Sequence, residues 1–179
     1  MKLINSMGPN PKVVRMFLAE LGMSVDLEEV DLMKAENRGE AYLAKNASGT
    51  TPALELDDGS YLCEIVAICE YLDEISDASS LIGNTAAERA EARMWSRRVD
   101  LNILEPLTNG FRYSEGQAIF KDRMRLIPQA ADDLKALAQE KITWLDGLMK
   151  DKEFVCGSRF TLADVLLFCF LEFGAQGGQ

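Results

Sequence analysis

Thr51, Pro52 and Glu64 are the residues whose types and spacing suit chemistry, and all three lie in one stretch from Thr50 to Glu74. Pro52 has no N–H, so the backbone groups of Thr51 need not enter a strand ladder and can face a ligand. Glu64 falls where an alternating pattern gives way to a helical one, beside the free N–H groups and partial positive charge of a helix start. A carboxylate acceptor next to amide donors suits a zwitterion with ammonium and carboxylate on one carbon, as in an amino-acid headgroup. A plainer reading stands beside it: Pro52 opens a strand and Glu64 is an ordinary first-turn acid. Pattern alone leaves both open.

The elements that must position these residues are legible on either side. Ala53-Leu54-Glu55-Leu56 alternates as a short strand. Asp57-Asp58-Gly59 is a hairpin turn, because Gly takes positive φ at no steric cost, and Tyr61-Leu62-Cys63 is the return strand. From Glu64 onward Ile65, Ile68 and Leu72 share one helical face, opposite Glu70, Asp73 and Glu74. Upstream, Lys2–Asn5 predicts a first strand and Met7–Pro11 a loop with two prolines. Val13, Val14, Phe17, Leu18 and Leu21 predict a helix stopped by Gly22. Val25, Leu27 and Val30, alternating with acids, predict a second strand, and Asn37–Ala44 a short helical or irregular connection. The order β-α-β-α-β-β-α is the thioredoxin-like pattern.

This places an α/β thioredoxin-like domain at residues 1–76, a small-residue linker at Ser76–Thr85, and an all-helical domain at 86–179. In the second domain Ala86–Asn109, Glu115–Leu126 and Gln129–Met149 read as helices, with Pro128 closing the middle one. Thr161 and Asp164 resemble a capping box that opens a last helix, with Phe160 and Val165 as a hydrophobic staple. Val165–Leu171 is apolar all round and predicts the buried centre of that domain.

Composition narrows the function classes. Of the 179 residues, 47% are apolar and 27% charged, an ordinary soluble composition. Neither a membrane-length apolar run nor the apolar core of a signal peptide is present, so the expectation is a cytoplasmic protein. Net charge is −10, with 15 acids and 6 bases in residues 1–80. That acidity argues against nucleic acid and anionic membrane as partners, and means that an anionic ligand must be held by local donors. There are no histidines, which removes His-based acid–base chemistry, and no metal site is expected. Cys63, Cys69, Cys156 and Cys169 show no C-x-x-C spacing and sit in apolar runs, which predicts buried, inert thiols.

Pro52-Ala53-Leu54-Glu55-Leu56-Asp57-Asp58-Gly59, then Glu64, then Ala67-Ile68-Cys69-Glu70-Tyr71-Leu72, closely resembles the glutathione-binding half of the cytosolic glutathione transferase family. The cap at Thr161–Asp164 resembles the family's folding element in the second domain, which makes Asp164 structural. The resemblance implies glutathione as co-substrate, held by Glu64 and the Ile65 backbone at its headgroup and by Thr51 before a cis Pro52 at its cysteinyl part. It implies activation of glutathione as thiolate for attack on electrophiles, peroxides or mixed disulfides, and a homodimer. Because family members continue with further helix over the central one, it also implies that this chain is truncated or partly read.

Two departures bear on mechanism. Family members place a Ser, Cys or Tyr near the sulfur, in the loop after the first strand or at the start of the first helix. Here Gly8-Pro9-Asn10 occupies those positions. It resembles the bacterial Nu-class Thr-Pro-Asn, whose members act mainly as glutathione-dependent disulfide reductases and reduce some peroxides, with Gly8 in place of the threonine. The amide of Asn10 can stabilise a thiolate by donation; it can also cap the first helix, and the two roles are compatible. Ser6 is the alternative hydroxyl, although it lies early in the loop. At the headgroup the family's Glu-Ser or Asp-Ser is Glu64-Ile65, which removes a hydroxyl donor. On the acceptor side the resemblance points to Asn102, Asn109, Arg112 and Tyr113, where a Tyr and an Arg suit an anionic or aromatic co-substrate and a solvated surface role stays open. The missing hydroxyls leave a second class of function, a non-catalytic glutathione-binding or scaffold protein of the same fold.

Overall fold

In the computed structural model, which describes residues 1–177, β1 (Lys2–Asn5) is followed by α1 (Pro9–Glu20) and returns as β2 (Asp26–Glu29), which pairs with β1 in parallel. The crossover helix is bounded as its sequence requires. Gly8, at φ 106°, precedes it and Pro9 opens it, since proline suits a first helical position where no N–H is needed. It ends in a Schellman motif: Gly22 at φ 66° donates to Ala19 O at 3.0 Å and Met23 N donates to Leu18 O at 2.9 Å.

A 3-10 turn (Glu36–Arg38) and the short α2 (Glu40–Leu43) lead to the hairpin of β3 (Ala53–Glu55) and β4 (Tyr61–Cys63), and then to α3 (Ile65–Ile75). The sheet order is β2-β1-β3-β4, with β3 antiparallel to both neighbours. Leu3 pairs with Leu54 and Ile4 with Ala53, so alternate side chains enter opposite faces. Ile4 and Ala53 join Val30 and Tyr42 in one apolar cluster. Leu3, Leu54, Val13, Val14, Phe17, Ile68 and Leu72 are fully buried, and α1 packs beside α3. Truncating a side chain such as Leu54 to alanine costs about 2–5 kcal/mol in cores of this kind.

β2 is a charged edge. Of the apolar residues that predict this strand, only Val30 is buried, while Leu27 is 52% exposed. Glu28 is held by Lys2 at 2.7 Å and Lys45 at 2.8 Å, so the edge carries charge that discourages further strand pairing. The chain divides after Leu81 into two compact units. The stretch predicted as a linker is tethered: Asp73 accepts from Ser80 Oγ at 2.6 Å and Leu81 N at 2.7 Å.

The second unit is helical. Thr85 and Glu88 form a complete capping box that opens α4 (Ala86–Val99). The helix continues through a π segment (Asp100–Leu104) into α5 (Glu105–Tyr113). Pro106 explains the π segment: it lacks the N–H of a regular turn and its ring crowds the preceding one, so the spiral widens and Glu105 N–H reaches back to Asp100 O. The predicted helix at Glu115–Leu126 shrinks to α6 (Gln117–Phe120), which buries no residue. Short helices depend on a buried face, and after Phe120 the side chains of Lys121, Asp122, Met124 and Arg125 are exposed.

α7 (Ala131–Met149) packs on α5, and α8 (Leu162–Gly177) on α4. Asp164 accepts from Thr161 N and Val155 N, each at 2.8 Å, which ties the start of α8 to the loop before it. The aromatic partner of Phe160 is Phe154, at 5.5 Å. Leu162, Ala163, Val165, Leu166, Cys169 and Phe170 are buried, whereas Phe168 is 52% exposed, so α8 is not enclosed on every side among the described residues.

Candidate functional site

Strand register brings the candidate residues of the first unit together at one end of the sheet. Ile4 opposes Ala53 and Ala53 opposes Cys63. One step further along these antiparallel pairs, Pro52 comes beside Glu64; one step beyond that, Ser6 comes beside Thr51. The contact is direct: Ser6 Oγ lies 2.5 Å from Thr51 Oγ1. The Thr51–Pro52 peptide is cis. Among the described residues the Thr51 N–H and C=O have no hydrogen-bond partner.

The residue before Thr51 is anchored on two sides. Tyr42 Oη donates to Thr50 O at 2.5 Å and Asn46 Nδ2 donates to it at 2.8 Å. Burial pushes the Tyr42 phenol up to about 12, so it remains a donor throughout the neutral range. Gly49 is held by Asn37 Nδ2 at 2.6 Å. A polar scaffold beneath the loop thus leaves the next backbone unit open.

Glu64 is the N-terminal boundary residue of α3 and has φ 71°, ψ 122°. A β-carbon-bearing residue at positive φ outside the usual wells costs about 1–3 kcal/mol and persists where surroundings impose it. Its carboxylate is exposed and caps nothing. The first backbone bond of the helix is Ile68 N to Glu64 O at 2.9 Å, so the N–H groups of Ile65, Val66 and Ala67 have no intrahelical acceptor. An exposed acid, three free donors and the positive end of a helix dipole therefore stand beside the open Thr51 backbone. The pre-cap conformation of Glu64 had no signal in the sequence, since glutamate gives no warning of positive φ.

The two candidates for the sulfur contact separate. Gly8, not Asn10, takes the boundary position of α1, and no side chain caps that helix. Asn10 sits in the first turn, half-buried, with its amide unpartnered among the described residues. Ser6 is 2% exposed, and besides Thr51 its hydroxyl donates to Met7 O at 3.1 Å. Its polar capacity is directed into the protein, which suits a support for Thr51 better than a ligand contact.

A network absent from the sequence reading supports this loop. Arg15 Nη1 donates to Asn5 Oδ1 and, at 3.4 Å, to Ser6 O. Asn5 Nδ2 in turn donates to Glu29 Oε1 at 2.5 Å. The available clue was Arg15 itself, a charge between Val14 and Phe17 on an otherwise apolar helix face.

The acceptor-side candidates all belong to the second unit. Asn102 Nδ2 donates to Arg98 O at 2.8 Å across the π segment, an architectural use of its amide. Asn109 Oδ1 accepts from Arg112 Nη1 at 3.0 Å, and Tyr113 is half-buried at the end of α5. Of the cysteines, Cys69, Cys156 and Cys169 are buried, but Cys63 is only half-buried, contrary to expectation. Burial first and Glu64 second push the Cys63 thiol up, away from thiolate. Among the described residues no three Cys, Asp or Glu side chains converge as a metal ion would need, and no helix is long and apolar enough to cross a membrane.

A thioredoxin-like sheet with an open Thr–cis-Pro backbone facing a helix start, joined to a helical unit, defines the fold class. Comparison with known proteins agrees. Residues 8–75 match the family described as "Glutathione S-transferase, N-terminal domain", and residues 128–173 match "Glutathione S-transferase, C-terminal domain". The chain is 32% identical over 170 residues to glutathione S-transferase 2 of Saccharomyces cerevisiae, covering 94% of this chain and 73% of that one. It is 32% identical over 174 residues to glutathione S-transferase GstA of Escherichia coli O157:H7, covering 96% and 81%. A crystal structure of a glutathione S-transferase domain-containing protein from Marinobacter aquaeolei superposes with TM-score 0.93 at 33% identity, covering 99% of this chain and 88% of that one. The chain belongs to the glutathione S-transferase family.

Proposed function

We propose that this chain binds glutathione at the end of its sheet and activates it as a thiolate. The observation that carries this reading is the conjunction at Glu64: among the described residues, an exposed carboxylate without a hydrogen-bond partner, on a strained backbone, stands beside three helix N–H groups with no intrahelical acceptor and an open Thr51 backbone. The glutathione headgroup carries an ammonium, which Glu64 accepts, and a carboxylate, which the N–H groups of Ile65 and its successors receive. The Thr51 N–H and C=O pair with the cysteinyl backbone. Ligand recognition gives the positive φ at Glu64 a reason to persist.

The unpartnered Asn10 amide supports a Nu-like sulfur contact. Donation to sulfur favours the thiolate without proton transfer to the protein, and the thiol proton leaves to water. The thiolate then forms a bond to an electrophilic carbon with loss of the leaving group, or to a disulfide sulfur with loss of the other thiolate. Asn109, Arg112 and Tyr113 are the acceptor-side residues of this reading. Asn102 is set aside because its amide is bonded to the helix backbone.

Paired turnover assays with glutathione test it, one with an aryl halide and one with hydroxyethyl disulfide. Disulfide turnover exceeding aryl turnover, and falling in Asn10→Ala, is the expected result. Dominant aryl turnover places the protein among conjugating transferases. Silence in both assays together with no thermal shift on adding glutathione favours the scaffold reading.

A further inference from the structure

A buried amide in the first unit stands between a cation and an anion. Asn5, 5% exposed, accepts from Arg15 Nη1 through Oδ1 and donates to Glu29 Oε1 at 2.5 Å through Nδ2. Both bonds are charge-assisted and so stronger than bonds between neutral groups. Parallel register sets Asn5 against Glu29, and Arg15 reaches the amide from α1. The same Arg15 Nη1 donates to Ser6 O at 3.4 Å. One side chain of α1 thus holds both the last residue of β1 and the first residue of the loop after it.

That loop has little else to hold it. Met7 is 62% exposed, and a β-carbon on Gly8, at φ 106°, would meet nothing within 4 Å. Among the described residues the N–H groups of Met7 and Gly8 have no hydrogen-bond partner. A glycine in open space is a hinge unless the chain on either side of it is fixed. Here both sides are fixed by one group. Ser6 is held by Thr51 and Arg15, and α1 carries Arg15 itself. Asn10 follows the hinge, and Thr51 is bonded to the residue before it.

We infer that Arg15 is a positioning residue: by clamping α1 to the end of β1 it holds Asn10 within reach of the sulfur of a ligand whose backbone lies on Thr51. This role rests on the function proposed above, in which Asn10 and Thr51 serve one cysteinyl unit. A cysteinyl sulfur is tied to its own backbone through a single methylene, so the two contacts must keep a set spacing. A donor that drifts loses its bond steeply with distance and angle. Arg15 acts on the ligand through the loop. With Asn10 displaced, the bound thiol keeps its proton at neutral pH and turnover falls.

The test uses the full chain, glutathione as ligand and hydroxyethyl disulfide as acceptor. In Arg15→Gln, deuterium exchange at the Met7, Gly8 and Asn10 amides is expected to quicken about tenfold beyond any change in global unfolding. Turnover at neutral pH is expected to fall about tenfold and to recover as pH rises, because a raised thiol pKa only moves thiolate formation to higher pH. A loss of folded protein alone would lower turnover equally at every pH. Arg15→Lys keeps the charge and one donor; it should fall between the two, and it covers the case of an unfolded Arg15→Gln. Asn5→Asp sets two carboxylates against each other and should reproduce the Arg15→Gln profile. Adding Glu29→Gln restores a donor opposite an acceptor in exchanged order and should rescue it. In an Asn10→Ala background Arg15→Gln should add no more than about twofold, since the two act in series.

Unchanged loop exchange in the Arg15 variants, a turnover loss equal at every pH, or full additivity with Asn10→Ala overturns the inference. A pH profile unmoved by Asn10→Ala defeats the sulfur contact instead, and a wild type that binds no glutathione defeats the glutathione reading. In both of those cases the role assigned to Arg15 on the sulfur falls as well, and the exchange rates decide whether the clamp on the loop stands.

Discussion

The two units present hydrogen-bond donors by different means. At the sheet end the donors are backbone N–H groups of α3 and of Thr51, held open by strand register and by the Tyr42, Asn46 and Asn37 scaffold. In the helical unit the donor is one side chain, Arg112, braced by one amide. A backbone site survives changes of side chain, because the N–H groups belong to the fold. In the proposed reading, Ile65 can therefore stand where the family resemblance predicts a serine. A side-chain site is lost with its residue.

The most severe break of this comparison removes the one side chain on which the sheet-end site depends. Glu64→Ala is expected to weaken glutathione binding about 10- to 100-fold by calorimetry. Glu64→Gly is expected to lose binding equally while its melting temperature holds or rises, because glycine accepts φ 71° without strain. A melting temperature that falls sharply in Glu64→Gly would show that the carboxylate stabilises the fold and would sink the strain argument.

Asn10→Ala probes the reactive end. The expected loss is about tenfold in turnover, with glutathione affinity within about twofold. The thiol pKa of bound glutathione, followed by thiolate absorbance, should rise in this variant. An unmoved titration curve would remove Asn10 from the sulfur.

Ser6→Ala sharpens the division between contact and support. Loss of its buried bond to Thr51 is expected to cost about 1 kcal/mol in denaturant unfolding and to raise the KM for glutathione more than it lowers kcat. A fall in kcat alone would instead return Ser6 to the sulfur. Ile65→Ser restores the absent hydroxyl, and glutathione binding should tighten about threefold; no gain would mean that the helix N–H groups already saturate the carboxylate.

The smallest effect concerns the helical unit. Glu115 is lowered to about 2, first by Lys135 and then by Ser114. A carboxylate lowered in the folded state contributes stability that is complete above its ordinary range and lost as pH falls toward that value. The pair is partly exposed, so its worth is under about 1 kcal/mol. The melting-temperature gap between wild type and Glu115→Gln should be present at neutral pH and close on acidification below the ordinary carboxylate range; a gap independent of pH would count against the pair.

Much of the first unit was written locally. Asp57-Asp58-Gly59 forms its turn, with Gly59 at φ 82°, and Gly22 closes α1, because these are one-residue consequences of backbone sterics. The Thr51-Pro52 and Glu64 positions were likewise visible as a proline before a strand and an acid before a helix. Conformations imposed from outside a segment were not. Positive φ at Glu64 and the shortening of the helix at Glu115–Leu126 are of this kind, whereas the α1 boundary at Gly8 rather than Asn10 follows from the local Gly8-Pro9 pair.

By itself, then, the sequence determined where strands, turns and helix ends fall and which residues carry donors and acceptors, since those follow from dihedral preferences and side-chain chemistry within a few residues. Only the tertiary structure decided what those groups do. Register set Ser6 against Thr51 and turned a candidate reactive hydroxyl into a support. Helix packing left Arg112 half-buried with Asn109 as its hydrogen-bond partner. Whether a polar group is satisfied or available is a property of everything around it, and that is fixed only when the chain has folded.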